Sequence, residues 1–252
     1  MPNGSLVAAA AAVALLSAAV APARADPVRN VVIVHGAFAD GSGWRRVADI
    51  LGKDGYTVSV VQEPLTSLAD DVAATRRVLE LQQGPTLLVG HSYGGVVITE
   101  AGNAPNVVGL VYIAAFIPDQ GESAVALLSQ APAANNDMRA TKDDFLYLDP
   151  AAFPADFAGD LSPAEASFMA RSQAMPAKAA AGAPVTTAAW HQKKSWALVA
   201  AHDRNINPDL ERRMAKRAGS ETIEVAASHA VYVSKPNDVA RLIERAAKAS
   251  AP

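Results

Sequence analysis

The chain has no cysteine among its 252 residues, which excludes disulfides, thiol nucleophiles and thiolate metal sites. It says nothing against an oxidising compartment. The five histidines, at 35, 91, 191, 202 and 229, never fall at the H-x-x-x-H spacing of a helical ligand pair, so no metal is expected. A basic surplus is missing as well, since 22 Lys and Arg stand against 25 Asp and Glu for a net charge of −3. That balance argues against a nucleic-acid partner, and the one local cluster, His191-Gln192-Lys193-Lys194, reads as a solvated loop. No internal repeat is present.

Acidic residues are absent from Met1 to Ala25, a stretch with an apolar core from Leu6 to Val20 and with Ala23-Arg24-Ala25 ahead of Asp26-Pro27. It is too short and too rich in alanine for a membrane span, and it ends in an A-x-A site. The expectation is a signal peptide over 1–25, cleaved after Ala25, and a secreted or periplasmic product with no membrane span in residues 26–252. No Lys or Arg precedes the apolar core, so its positive charge is the amino terminus alone. The 50% hydrophobic content over the remaining length suits one globular domain with a large core.

Within that domain, short β-branched runs alternate with longer helical patterns, the rhythm of βα units around a mostly parallel sheet. Strands are predicted over 31–34, 56–61, 86–89, 107–114, 196–200 and 221–225, and helices over 44–53, 68–82, 92–102, 208–218 and 235–249. The rhythm breaks at about 118–190, where prolines at 132, 150, 154, 163 and 176 would divide the chain into short helices. This stretch also carries Met138, Phe153, Phe157, Phe168 and Met169, too apolar for a linker. It is predicted to be a helical cap over one edge of the sheet, with some of its large apolar side chains lining a pocket.

Between the predicted strand 86–89 and its following helix lies Gly90-His91-Ser92-Tyr93-Gly94-Gly95. A strand that reverses at once into a helix through G-x-S-x-G holds the serine in a strained turn with its hydroxyl clear of the backbone. Side chains at Gly90 or Gly94 would crowd strand against helix. Ser92 is therefore the candidate nucleophile. Serine at neutral pH needs a base in contact, and the base needs an orienting acid. The strand 196–200 runs into Ala201-His202-Asp203-Arg204-Asn205, and the strand 221–225 into Ala226-Ala227-Ser228-His229. Asp203 and His229 are thus the candidate acid and base. Asp119 also follows a strand, but Ile117-Pro118-Asp119-Gln120-Gly121 reads as a plain turn; His202 adjoins Asp203 and should point away from it. A tetrahedral intermediate needs two N–H donors. One is expected from Tyr93, and the other from the loop His35-Gly36-Ala37-Phe38, with Phe38 as first choice, Ala37 as fallback and His35 bracing the turn.

With these residues in hand, the chain resembles the α/β-hydrolase superfamily over nearly all of residues 26–252. The His35-Gly36-Ala37-Phe38 loop, the Gly90 to Gly95 elbow and Ser228-His229-Ala230 are similar to the branch of small esterases, plant methylesterases and hydroxynitrile lyases. That resemblance implies an α/β fold with a Ser-Asp-His triad in the order found here, a small-molecule ester substrate and no cofactor. The first two strands of the larger form have no counterpart, which leaves a six-stranded sheet. One fold hosts many reactions, and alternatives on the same triad are a lactonase, a cofactor-free haloperoxidase or a hydroxynitrile lyase. A receptor that captures ligand with little turnover is the alternative from another class. The lyases of this branch carry a lysine directly after the catalytic histidine, where this chain has Ala230.

Overall fold

Runs of apolar residues such as Val31-Val32-Ile33-Val34 form strands covered on both faces, which is what a parallel sheet between two helical layers requires. The computed structural model describes residues 27–134 and 137–250, with Met1 and Gly4. The expected cleavage point after Ala25 lies outside the described residues. The chain proceeds through β1 (Asn30–Val34), α1 (Arg45–Lys53), β2 (Thr57–Val61), α2 (Leu68–Glu80), β3 (Thr86–Ser92), α3 (Gly94–Ala101) and β4 (Val107–Ala115). Six short elements follow: α4 (Ala124–Gln130), β5 (Met138–Ala140), β6 (Leu146–Leu148), α5 (Phe153–Asp156), α6 (Pro163–Arg171) and α7 (Lys178–Gly182). The chain then returns through β7 (Lys194–Ala200), α8 (Pro208–Arg217), β8 (Glu221–Val225), α9 (Val231–Ser234) and α10 (Pro236–Ala249).

The six-stranded sheet has the order β2-β1-β3-β4-β7-β8, and every pairing in it is parallel. Alternation along the strands sends Val32, Val34, Leu88 and Leu110 to one face, against α2, α3 and α8. Val31, Ile33, Leu87 and Val111 go to the other, against α1 and α10, whose stripe Val239, Leu242, Ile243 and Ala246 is buried. Local chemistry starts the helices where the pattern places them. Ser67 caps α2 by accepting from the Asp70 N–H, and Asn207 with Pro208 opens α8. The outer strand β8 carries Glu221 and Glu224, paired with Arg245 and Arg212, so its open edge is charged.

The cap differs from the all-helical expectation. Met138–Ala140 and Leu146–Leu148 form an antiparallel hairpin, too short for any periodic pattern to mark. Among the described residues no helix is long and apolar enough to cross a membrane.

Candidate active site

The strand β3 runs past the predicted end at Val89 to Ser92, with a register shift against β4 between His91 and Ser92. Ser92 itself has φ +53, a left-handed conformation that costs a non-glycine residue energy. The turn survives because Gly90 and Gly94 bring no side chain into a space that backbone already fills. A side-chain carbon on Gly90 would lie 2.5 Å from the Gly94 carbonyl oxygen, and one on Gly94 would lie 2.5 Å from that of His35. Tyr93 caps the start of α3 with helical angles, so its N–H belongs to the unpaired group at a helix N-terminus.

Asp203 sits in the turn after β7, and its Oδ1 accepts the N–H groups of Asn205 at 2.7 Å and Ile206 at 2.9 Å. Its Oδ2 lies 2.5 Å from His229 Nδ1, with both side chains buried. That bond leaves Nε2 as the free nitrogen of His229. His229 and Ser92 line one cavity of about 380 Å³, walled by Phe116, Leu128, Leu146, Pro176 and Ile206. Three expected residues from distant segments are therefore brought to one place. The backbone of His229 is held from below, because the His91 Nε2–H donates to its carbonyl at 3.0 Å. Burial holds His91 well below the ordinary histidine range, so it serves as a neutral donor. Phe157 from the cap stands edge-on to the His229 ring, with centroids 4.7 Å apart.

The competing residues are placed elsewhere. Asp119 accepts from His191 Nε2 at 2.9 Å at the surface, and the His202 side chain is exposed. His35 braces its own turn: Nδ1–H donates to the Gly36 carbonyl at 2.9 Å, and Nε2 accepts the Glu63 N–H at 3.1 Å. Both bonds fit the neutral ring that its burial favours.

One expectation needs correction. The Phe38 N–H, first choice for the second oxyanion donor, is donated to the Ala174 carbonyl of the cap at 2.9 Å, with Phe38 at φ +63. An amide so committed is not aimed at a substrate oxygen. The fallback residue Ala37 lines the cavity beside Ser92 and Tyr93. The large apolar side chains of the cap divide between cavity and core. Met138 lines the main cavity, Phe153 and Phe157 pack into the body, and Phe168 and Met169 border a separate cleft of about 200 Å³.

Four buried carboxyl groups escaped the sequence reading, one of them Asp156 of the cap, which pairs with Arg204. Glu211 on α8 accepts from the Ala200 N–H at 3.4 Å, and burial together with nearby Asp203 pushes its acid well above the usual range. Asp71 on α2 and Glu63 after β2 are likewise buried and raised. A signal existed for two of them: Asp71 and Glu211 fall within the apolar stripes Leu68-Val72-Leu79 and Leu210-Met214, where a solvated acid has no place.

Comparison with known proteins gives the family and the fold. A carbendazim hydrolyzing esterase from Nocardioides sp. (strain SG-4G) is 37% identical over 118 residues, 40% of this chain and 48% of that protein. The chain thus matches about half the length of that relative. An alpha/beta hydrolase, nvfD, from Aspergillus novofumigatus (strain IBT 16806) is 26% identical over 242 residues, covering 86% of this chain and 96% of the other. The crystal structure of a pyrethroid hydrolase from Sphingobium faniae JZ-2 superposes with a TM-score of 0.75 at 20% identity, over 88% of this chain and 98% of that one. The model of the alpha/beta hydrolase family matches residues 31–242, and the chain belongs to that family.

Proposed function

We propose that the protein hydrolyses carboxylic esters of small to medium apolar substrates through an acyl-enzyme on Ser92. The observation that carries this reading is the buried Asp203–His229 pair opening into the same apolar cavity as the strained serine. His229 Nε2 takes the Ser92 proton as Oγ attacks the ester carbonyl. Asp203 fixes the tautomer that leaves Nε2 free and stabilises the imidazolium that forms. The Tyr93 and Ala37 amides hold the oxyanion, His229 protonates the departing alkoxide, and water repeats the sequence on the acyl-enzyme. The esterase and hydrolase names of the relatives support ester cleavage; the cavity walls support apolar substrates.

Ester hydrolysis is preferred to cyanohydrin cleavage on a specific ground. A departing cyanide needs a fixed cation, whereas the residue after His229 is the buried Ala230, whose N–H is donated to Phe157. A panel of p-nitrophenyl esters of increasing acyl length tests the reading. Saturable turnover with short to medium chains, and no enzyme-dependent cyanide release from mandelonitrile, is the expected result. Binding without turnover across the panel would favour a receptor instead. Export is part of the proposal: protein recovered from a bacterial periplasm or medium should begin at Asp26 by mass spectrometry, and an uncleaved cytoplasmic chain would overturn it.

A further inference from the structure

An oxyanion hole built from two amides on separate segments works only if their spacing is held to about half an ångström. Here one amide belongs to Tyr93, at the head of α3, and the other to Ala37, in the loop after β1. The segment 63–71, between β2 and the first turn of α2, reaches both. The Glu63 N–H donates to His35 Nε2 at 3.1 Å, two residues before Ala37. The Tyr93 hydroxyl donates to Asp71 Oδ2 at 2.8 Å, while Asp71 Oδ1 accepts the Leu65 N–H at 2.7 Å. Leu65 stands at φ +57, and its carbonyl accepts the Ala177 N–H of the cap at 2.8 Å, so both of its peptide groups are held. Gly36 packs directly on the nucleophile, since a side-chain carbon there would lie 2.7 Å from Ser92 Cβ.

We propose that Asp71 is a positioning residue, which fixes the Tyr93 amide relative to the Ala37 amide through the Tyr93 hydroxyl and the Leu65 backbone. This inference rests on the acyl-transfer reading above and extends it to residues that touch no substrate. Stability alone is a poor reason for the pair. Asp71 is fully buried and Tyr93 nearly so, and a buried polar pair gains little or nothing over apolar residues of the same shape. What it adds is direction. A tyrosine ring held only by packing can slide along its pocket, whereas a hydroxyl bonded to a carboxyl that is itself bonded to a second backbone segment cannot.

The test compares Tyr93→Phe, Asp71→Ala and Asp71→Asn with wild type. Losing an entire oxyanion donor costs about 10²–10³ in kcat, so misplacing one should cost roughly 10- to 100-fold. Tyr93→Phe and Asp71→Ala should lower kcat by that factor with KM changed less than about twofold. Asp71→Asn, which can still accept from Leu65 and bond the tyrosine oxygen, should recover most of it. Affinity for a trifluoromethyl ketone, which adds to the serine and creates an oxyanion, should fall in parallel with kcat, while affinity for the product acid should not. Should Asp71→Ala fail to fold, the conservative Tyr93→Phe carries the comparison. Unchanged kcat and ketone affinity in Tyr93→Phe would overturn the inference and leave the hydrolase reading intact. A wild-type protein that neither cleaves esters nor reacts with a fluorophosphonate would overturn the hydrolase reading itself.

Discussion

The sheet body and the cap are held together by different means. In the body, burial decides almost everything: β3 is buried along its whole length, and apolar clusters fill both sheet faces. The cap shares in both clusters, with Leu148, Phe153, Phe157 and Ala170 in one and Leu127, Val185 and Trp190 in the other, and to this packing it adds polar attachments, single hydrogen bonds and ion pairs. Those attachments land beside the proposed catalytic loops. Ala174 takes the Phe38 N–H, Phe157 takes the Ala230 N–H, Asp156 pairs with Arg204 at 2.9 Å, and Asp160 accepts from Ser228. The body therefore supplies the reacting groups on a rigid frame, and the cap pins the loops that carry them while walling the cavity. A cap with these ties is a structural part of the site rather than a free lid.

The largest effect that separates the two regions concerns the acid. Asp203→Asn should lower kcat by about 10⁴-fold because the wrong histidine tautomer is then favoured, whereas Asp119→Asn at the root of the cap should stay within about twofold. Steady-state kinetics on one p-nitrophenyl ester decides between them. Loss at 119 with retention at 203 would reverse the assignment.

Next in size is the packing of cap on body. Phe157→Ala should cost about 3–5 kcal/mol in denaturant unfolding, since its ring is fully buried between Phe153 and His229. A cost near zero would make the cap an independent lid.

The buried acids of the body give a pH test. Burial raises Glu63 above its ordinary value of 4.5, so the fold favours the neutral form. Its contribution to stability is complete below that ordinary value and is lost as pH rises through the elevated folded one. Neither carboxyl oxygen makes a hydrogen bond, although Oε2 lies 3.6 Å from His35 Nδ1, so Glu63→Gln should remove the loss without breaking a side-chain hydrogen bond. The variant's melting temperature relative to wild type should rise between pH 5 and pH 8. A constant difference across that range would show that Glu63 does not titrate with unfolding. The smallest effect belongs to the cavity rim, where Met138→Ala should shift the preferred acyl chain to a longer one by a few-fold in kcat/KM. Unchanged preference would place the substrate away from the cap hairpin.

How much of this was legible follows the same division. Strands and helices of the body can be read from apolar runs and stripes, with ends displaced by one to a few residues, because each is buried by local pattern. The elbow was legible for a sharper reason: Gly90 and Gly94 are the residues that let helix and strand meet. The β3 end was read short because Gly90-His91 resembles a turn although it pairs with Tyr112-Ile113. The hairpin of the cap was invisible, since three-residue strands carry no period. The commitment of the Phe38 amide was equally hidden, because its partner Ala174 lies far along the chain and backbone hydrogen bonds leave no side-chain signature.

The most direct measurement is fluorophosphonate labelling of the native protein, with peptide mapping by mass spectrometry and ester turnover followed in parallel. One adduct per chain on Ser92 is expected, with labelling and turnover both lost in Ser92→Ala while the fold persists. Labelling at another residue, or turnover by Ser92→Ala above about a thousandth of the wild-type kcat, would contradict Ser92 as the nucleophile.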